Sequence, residues 1–514
     1  MFSGLLKSTL VVGVMTTLSR IFGLIRDVVM AAFFSAGGGL DTFIVAFRIP
    51  NFLRRIFAEG GFSQAFVPVL SEYRQQREGA EVQALLDQTA AVLGLALLLT
   101  TAIGVLAAPW LIYVFAPGFI NEPDKQLLAG DMLRITFPYL LFISLTALAG
   151  GVLNTYGRFA VPAFTPVLLN LSLIGCALWL APYFPESHKV MALAWGVLLA
   201  GIVQLLFQFP FLLRIGRLPR PGFKRDPEGV RRILTLMIPA LFAASVTQIN
   251  LLVDTIIASF LPSGSISWLY FSDRLVEFPL GVFGIALATV ILPHLADKHS
   301  GADSAAFSKT LDWALRWVLL IAVPAGLGLI LLAVPAISTL FQYNEFSVFY
   351  LQMSSYSLMA YALGLPGFIL IKVLAAGFFA RQDTATPVRA AAIAMVCNII
   401  LNLLLVIPLD HAGLALATSL AAYINAGILY VKLRRQGHYQ HTPDWGLHLG
   451  RVALAALLMG LPLYLLVPGL AHWSALLFAD RLLQLLWWIA VGAGVYLGVI
   501  WLAGHRGLKS APEA

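Results

Sequence analysis

Apolar runs of 18 residues or more recur from one end of the chain to the other, for example at 94–116, 318–340 and 452–471. A run of that length crosses the hydrocarbon core of a bilayer as one helix. Divided at its polar breaks, the pattern predicts fourteen spans, near 8–36, 40–72, 84–116, 127–155, 161–182, 190–214, 232–260, 265–295, 308–340, 348–379, 387–408, 412–434, 449–469 and 478–503. The expected fold is an all-α polytopic membrane protein with fourteen transmembrane helices. Spans two and eight have the weakest boundaries, and no stretch is long enough for a separate soluble domain. The first segment, LLKSTLVVGVMTTLSRIFG, has Lys7 before an apolar core, as a signal peptide does. It lacks a small-x-small cleavage site before the arginine and is expected to remain as a span.

Composition agrees with the pattern: 60% of the 514 residues are apolar and only 11% are charged, with a mean hydropathy of +0.87, against roughly 25% charged in a soluble chain. Cys176 and Cys397 fall inside apolar segments and say nothing about redox compartment. Placing both termini inside puts 20 of the 33 basic residues on the cytoplasmic side, including the seven between Arg214 and Arg232, while the opposite loops hold only Lys125 and Lys189. That asymmetry sets the orientation. The net charge of +8 follows from topology and requires no nucleic acid. The segment RIGRLPRPGFKRDPEGVRR reads as a cytoplasmic linker, with a lipid-surface patch as the alternative.

Internal echoes suggest a repeat. FVPVLSE (66–72) matches ILPHLAD (291–297), each with a proline four residues before an acid. GRFAVPAFTPVLLN (157–170) is echoed by ARQDTATPVRAAAIAMVCN (380–398). Weak symmetry of this kind is common in transporters, with the substrate path between the halves. The expected organisation is an N-terminal lobe at 1–214, a basic linker at 215–231, a C-terminal lobe at 232–436 and an added helix pair with its tail at 437–514. Each lobe would contain six helices.

Eleven basic side chains remain within or at the ends of spans. An arginine at mid-helix costs at least about 2.5–3.5 kcal/mol, so several together imply a watered cavity. In span one, Arg20 and Asp27 are seven apart and share a face, with Arg26 turned away from Arg20. Span two repeats Asp41, Arg48 and Arg55 at seven, with Arg54 beside them and Glu59 one turn beyond Arg55. In span eight, Asp273 and Arg274 each lie one turn from Glu277. The bland alternatives are neutral pairing of Arg26 with Asp27 and of Arg274 with Asp273, snorkelling of Arg54 and Arg55, and a kink-satisfying role for Arg48 before Pro50. Arg134, Arg316, Arg451 and Arg481 lie near span ends, where snorkelling is the ordinary expectation. The surplus of arginine favours an anionic substrate, because guanidinium forks match phosphate oxygens. Asp254 has no basic residue within four positions and reads as a proton or cation site or a buried neutral acid. Asn398, Asn402 and Thr418 could supply oxygens to the same ion, or only bind helix to helix.

SRIFGLIRD (19–27), DTFIVAFRIPNFLRRIFAEGGFSQAFVPVLSEY (41–73) and SWLYFSDRLVEFPLGVFG (267–284) together resemble the bacterial lipid II flippases of the MurJ (MviN) family, part of the multidrug/oligosaccharidyl-lipid/polysaccharide exporter superfamily. The resemblance covers the whole chain, and RRIFAEGGFSQAFVP is specific to the family. It implies fourteen inner-membrane helices and transport of the undecaprenyl-diphosphate-linked peptidoglycan precursor to the periplasmic leaflet. It places Arg20, Arg26 and Arg274 at the diphosphate, and Asp27, Asp41, Arg54 and Glu277 in the cavity or its gates. It also implies a sodium site at Asp254, Asn398, Asn402 and Thr418, although position 402 is Asn here where a sodium-binding member has a carboxylate, which leaves proton or membrane-potential driving open. Lipid II, membrane lipids and the cell-wall synthesis machinery are the implied partners.

The competing readings are a related polysaccharide-lipid or drug exporter and a membrane glycosyltransferase. Drug exporters that take cations should show an acidic surplus in the cavity. An enzyme needs an acid or base within reach of its reacting atom. The outer loops offer only Glu122, Asp124, Glu186, His188, Glu345, Asp410 and His411, which form no recognisable constellation.

Overall fold

The computed structural model describes residues 2–55, 61–220, 222, 227–300 and 303–503. Glu59, most of linker positions 221–226, and Arg506 and Lys509 of the tail lie outside the described residues. The described elements are all helical. The chain divides into two compact units, Met1–Gly264 and Ser265–Ala514. In the first unit the α-helices are α1 (Phe2–Phe34), α2 (Gly38–Arg54), α3 (Ser63–Gln76), α4 (Gly79–Leu106) and α5 (Ala108–Phe115). They are followed by α6 (Pro123–Thr136), α7 (Tyr139–Thr155), α8 (Ala160–Gly175), α9 (Met191–Arg214) and α10 (Pro227–Ala258). The second unit begins with α11 (Ser265–Pro279), α12 (Ile285–Ser300), α13 (Ser304–Leu331), α14 (Ala333–Phe341) and α15 (Val348–Leu363). It continues with α16 (Leu365–Phe379), α17 (Ala385–Arg435), α18 (Trp445–Leu466), α19 (Leu470–Ala475) and α20 (Phe478–Leu502).

Ten helical stretches among the described residues are long and apolar enough to cross a membrane. One of them, α17, is two helices merged across a break: Asp410 adopts φ 48°, ψ −130°, a left-handed backbone rarely taken by a residue with a side chain. The break falls where the sequence separates span eleven from span twelve. Prolines bend other helices without ending them, including Pro68 in α3 and Pro293 in α12, because neighbouring groups can satisfy the backbone that proline frees.

The echo in sequence has a counterpart in hydrogen bonding. At the end of α7, Gly157 takes φ 75° and the Arg158 amide donates to Leu153 O; 225 residues on, Gln382 takes φ 59° and the Asp383 amide donates to Phe378 O. The same offset relates the joint at Ala107 between α4 and α5 to the joint at Leu332 between α13 and α14. Both pairs are local chain turns, so their recurrence reflects repeated backbone design and not only repeated composition.

The first unit has a core where α3, α4, α7 and α10 meet, built on Phe66, Leu70, Leu85, Val152 and Ile233. At its other end the chain after α10 reaches the turn before α6. A Cβ on Gly118 would stand 2.1 Å from the Ser259 carbonyl oxygen, so only glycine permits that backbone approach. The Gly118 amide donates to Ser259 Oγ at 3.0 Å.

In the second unit α18 and α20 pack on α13 through Val452, Met459, Leu463, Tyr496 and Ile500. Two buried charges pin this pair. Asp312 of α13 accepts from Arg316 Nε at 2.9 Å, Tyr439 Oη at 2.7 Å and Thr442 Oγ1 at 3.1 Å, and from the Trp445 indole. Arg481 of α20 donates to the carbonyls of Ser338, Gln342 and Ser474 at 2.8–3.1 Å. The snorkelling expected of Arg316 and Arg481 is thus overturned: an acid one turn back holds the first, and carbonyls at the ends of α14 and α19 hold the second. Asp312→Ala would leave Arg316 and three other donors without their acceptor, at a cost of about 3–5 kcal/mol. The expected result is a clear drop in the thermal midpoint of the detergent-solubilised protein, with new protease cleavage between 436 and 445; unchanged cleavage would show that the segment is held by other contacts.

Candidate functional site

SRIFGLIRD lies in the middle of α1, whose neighbour in the first unit is α8. Arg26 and Asp27 are buried, at 6% and 1% exposure. Arg26 donates to Asp27 Oδ1 from Nε at 2.9 Å and from Nη2 at 2.6 Å, and its Nη1 donates to Asn170 Oδ1 of α8 at 3.1 Å. The Asn170 amide in turn donates to Ser19 O at 3.1 Å. The charge pair is therefore oriented by a residue 144 positions away, which local spacing did not reveal; a lone Asn in the apolar run of α8 was the available signal. Arg20 is exposed and has no hydrogen bond or ion pair among the described residues. One helix thus presents a guanidinium that is held and another that is available.

Asp41 opens α2 and is 1% exposed. Its Oδ2 accepts from the Gly264 amide at 2.6 Å and lies 3.6 Å from Lys125 Nζ. Lys125, read from sequence as a loop residue, is 8% exposed. It donates to Ser263 Oγ at 2.7 Å and to Glu122 Oε1 at 3.4 Å, and stands over the Phe119 ring. α2, the start of α6 and the chain after α10 are clasped there by a buried ion cluster. Burial removes much of the solvent screening that makes surface ion pairs weak.

Arg48 is part-buried and donates to Thr255 Oγ1 at 2.6 Å, so it reaches a second helix, α10. Arg54 donates to Asn51 Oδ1 at 2.9 Å, while Arg55 is exposed at the end of α2. At the opposite end of α10, Arg232 forms a fork with both oxygens of Glu72, each at 2.8 Å. α10 is consequently tied to the first unit near both of its ends, a feature absent from the sequence reading, which grouped it with the C-terminal lobe.

In the second unit, Arg274 bonds Glu277 Oε2 at 2.7 Å and stands over the Tyr270 ring. Its ion pair is with the acid one turn on, not only a contact with its chain neighbour Asp273, which is exposed. Asn398, Asn402 and Thr418 do come together: Asn402 Nδ2 donates to Asn398 Oδ1 at 3.0 Å, and Asn398 Nδ2 to Thr418 Oγ1 at 3.4 Å. Two of their oxygens already accept hydrogen bonds within the set, which is the arrangement of helix packing. Asp254, half-buried on α10, belongs to the first unit. Among the described residues no group of three His, Cys, Asp or Glu side chains is placed to hold a metal ion.

A family model described as "Lipid II flippase MurJ" matches residues 30–483. A Vibrio cholerae protein named "Probable lipid II flippase MurJ" is 47% identical over 99% of this chain and 98% of its own length. The Burkholderia cenocepacia "Lipid II flippase MurJ" is 41% identical over 98% of each. A solved structure titled "Lipid II flippase MurJ, inward closed conformation" superposes with a TM-score of 0.81 at 28% identity, covering 98% of this chain and 100% of the other. An inward-facing multidrug exporter of the MATE family shares the fold, with a TM-score of 0.65 at 15% identity over 84% of this chain.

Proposed function

The chain belongs to the MurJ family of lipid II flippases, and from that premise we propose how it works. It is a transporter, not an enzyme: it moves lipid II, the undecaprenyl-diphosphate-linked peptidoglycan precursor, between the leaflets of the bacterial inner membrane by alternating access. The family match over residues 30–483 carries this reading. Its finer parts are our own: fourteen helices, counted as the ten apolar spans, the extra span made by the break in α17, and the charged spans of α1, of α2 with α3, and of α10; two related six-helix lobes with α18 and α20 added; and both termini in the cytoplasm, on the excess of positive charge there.

In this mechanism Arg20, Arg26, Arg54 and Arg274 receive the diphosphate, to which guanidinium offers parallel donors at constant charge. Asp27, Asp41, Arg48, Arg55, Asp273 and Glu277 line the path or close it by pairing. The Asp41–Lys125 cluster supports an outer closure, and the Arg232–Glu72 fork an inner tie that must be remade during the cycle. The prenyl tail stays in lipid while the head group crosses. Residue 402 is Asn and not a carboxylate, so a sodium ion beside Asp254, Asn398 and Thr418 would lack one charged ligand; protonation of Asp254 is the coupling step we favour. Contact with the cell-wall synthesis machinery is part of the same proposal.

The test uses cells in which this chain is the sole flippase and an impermeant enzyme that cuts only periplasmic lipid II. Cut product should appear with the chain and vanish on its depletion, and exchanging sodium for N-methylglucamine should leave the yield unchanged. Lipid II accumulating uncut despite normal amounts of the chain would refute the substrate; a yield that follows sodium would refute proton coupling.

A further inference from the structure

At the cytoplasmic ends of α1, α8 and α9 is a half-enclosed cavity of about 340 Å³, lined by none of the residues assigned above to the transport path. Val11, Arg158, Phe159, Val161, Phe211 and Arg214 line it, with no carboxylate among the described residues of its wall. Most arginines at this end are engaged: Arg74 donates to Thr155 O and covers the Tyr156 ring, and Arg217 donates to Gly79 O. Arg158 and Arg214 differ. Neither guanidinium has a hydrogen bond or ion pair among the described residues, and Arg214 meets only the Phe211 ring, 5.6 Å from its centroid. Two uncompensated cations therefore share one cavity.

Its walls narrow the choice of ligand. A soluble anion would gain nothing from Val11, Phe159, Val161 and Phe211, whereas a lipid places a phosphate at the arginines and its glycerol and first methylenes on the apolar side chains. Without a carboxylate, the site offers nothing to the ammonium of a zwitterionic lipid. The turn at Gly157, φ 75°, puts Arg158 just before α8, whose first turn has no acid and no side-chain cap; the helix end adds to the positive field. Basic pockets between helices on the cytoplasmic side suit anionic head groups.

We propose that this cavity binds the phosphodiester of an anionic glycerophospholipid. The leaflet rests on the orientation proposed above, but the binding does not.

The experiment titrates the full chain, in a neutral detergent, with phosphatidylglycerol or phosphatidylcholine and counts lipid adducts by native mass spectrometry. Phosphatidylglycerol should bind in preference, and its apparent Kd should rise about tenfold in Arg158→Gln/Arg214→Gln. Arg158→Lys/Arg214→Lys should retain most of the binding, and Arg381→Gln/Arg389→Gln, with the same change of net charge, should retain all of it. Three results would overturn the proposal: equal binding of the two lipids, undiminished binding by the first double variant, or a loss matched in the 381/389 variant. Displacement of the lipid by equimolar inorganic phosphate would reassign the cavity to a free anion. Thermal midpoints identify any variant that has lost its fold, in which case Arg158→Gln alone provides the comparison. Because no flipping is measured, failure here leaves the flippase function standing.

Discussion

Replacing Arg26 with alanine is expected to reduce periplasmic exposure of lipid II to the level of cells depleted of the protein. Two effects contribute, and they can be separated. Arg26 supplies the guanidinium that the diphosphate requires, and it also neutralises Asp27, which is 1% exposed. Removing one member of a buried pair costs about 3–5 kcal/mol, so part of the loss in Arg26→Ala should appear as a lower amount of protein in the membrane. Arg26→Gln combined with Asp27→Asn removes both charges and keeps groups that can hydrogen-bond to each other and to Asn170. This double variant should accumulate like the parent chain and still fail to expose lipid II. If it transports, Arg26 serves only to neutralise its neighbour, and the diphosphate is held elsewhere.

The second large effect is expected at the outer clasp. Asp41→Ala removes the acceptor of the Gly264 amide and leaves buried Lys125 with Glu122 as its remaining acid and Ser263 as its hydrogen-bond acceptor. A cysteine introduced at Ser259, 4% exposed beside the clasp, should then react with an impermeant maleimide from the periplasm about tenfold faster than in the parent background, as expected when closure loses about 1.4 kcal/mol. Lipid II exposure should fall with it, because a path open on the outside cannot load from the inside. The swapped variant Asp41→Lys/Lys125→Asp should recover part of the closure. Unchanged labelling would mean that this cluster holds the fold together without closing a path.

What the sequence conveyed and what it withheld follow from the range of each interaction. Apolar length and the division at Asp410 are local properties, and they were legible. So was the adjacency of Arg26 and Asp27. The Arg274–Glu277 pair was open to helical spacing, as was Asp312 with Arg316, though there the expectation of snorkelling concealed it. Contacts set by folding were not legible. Lys125 resembled any loop lysine until the chain brought Asp41 to it across 84 positions. The bond from Arg48 to Thr255 could not be read from spacing, because the two lie 207 residues apart. The placement of α10 illustrates the limit most clearly: the sequence reading grouped it with the C-terminal lobe, whereas Glu72 and the core it shares with α3, α4 and α7 pack it in the first unit, and Gly118 holds the chain just after it.

The closed Arg26–Asp27 pair also has an electrical consequence. Its formal charges sum to zero, so a rocking motion that carries the pair through the membrane field displaces no net charge on its account. The diphosphate is different. Each negative charge moved outward against an interior-negative voltage of 100 mV releases about 2.3 kcal/mol. At this pair, then, the voltage acts on the cargo and not on the protein's own charges.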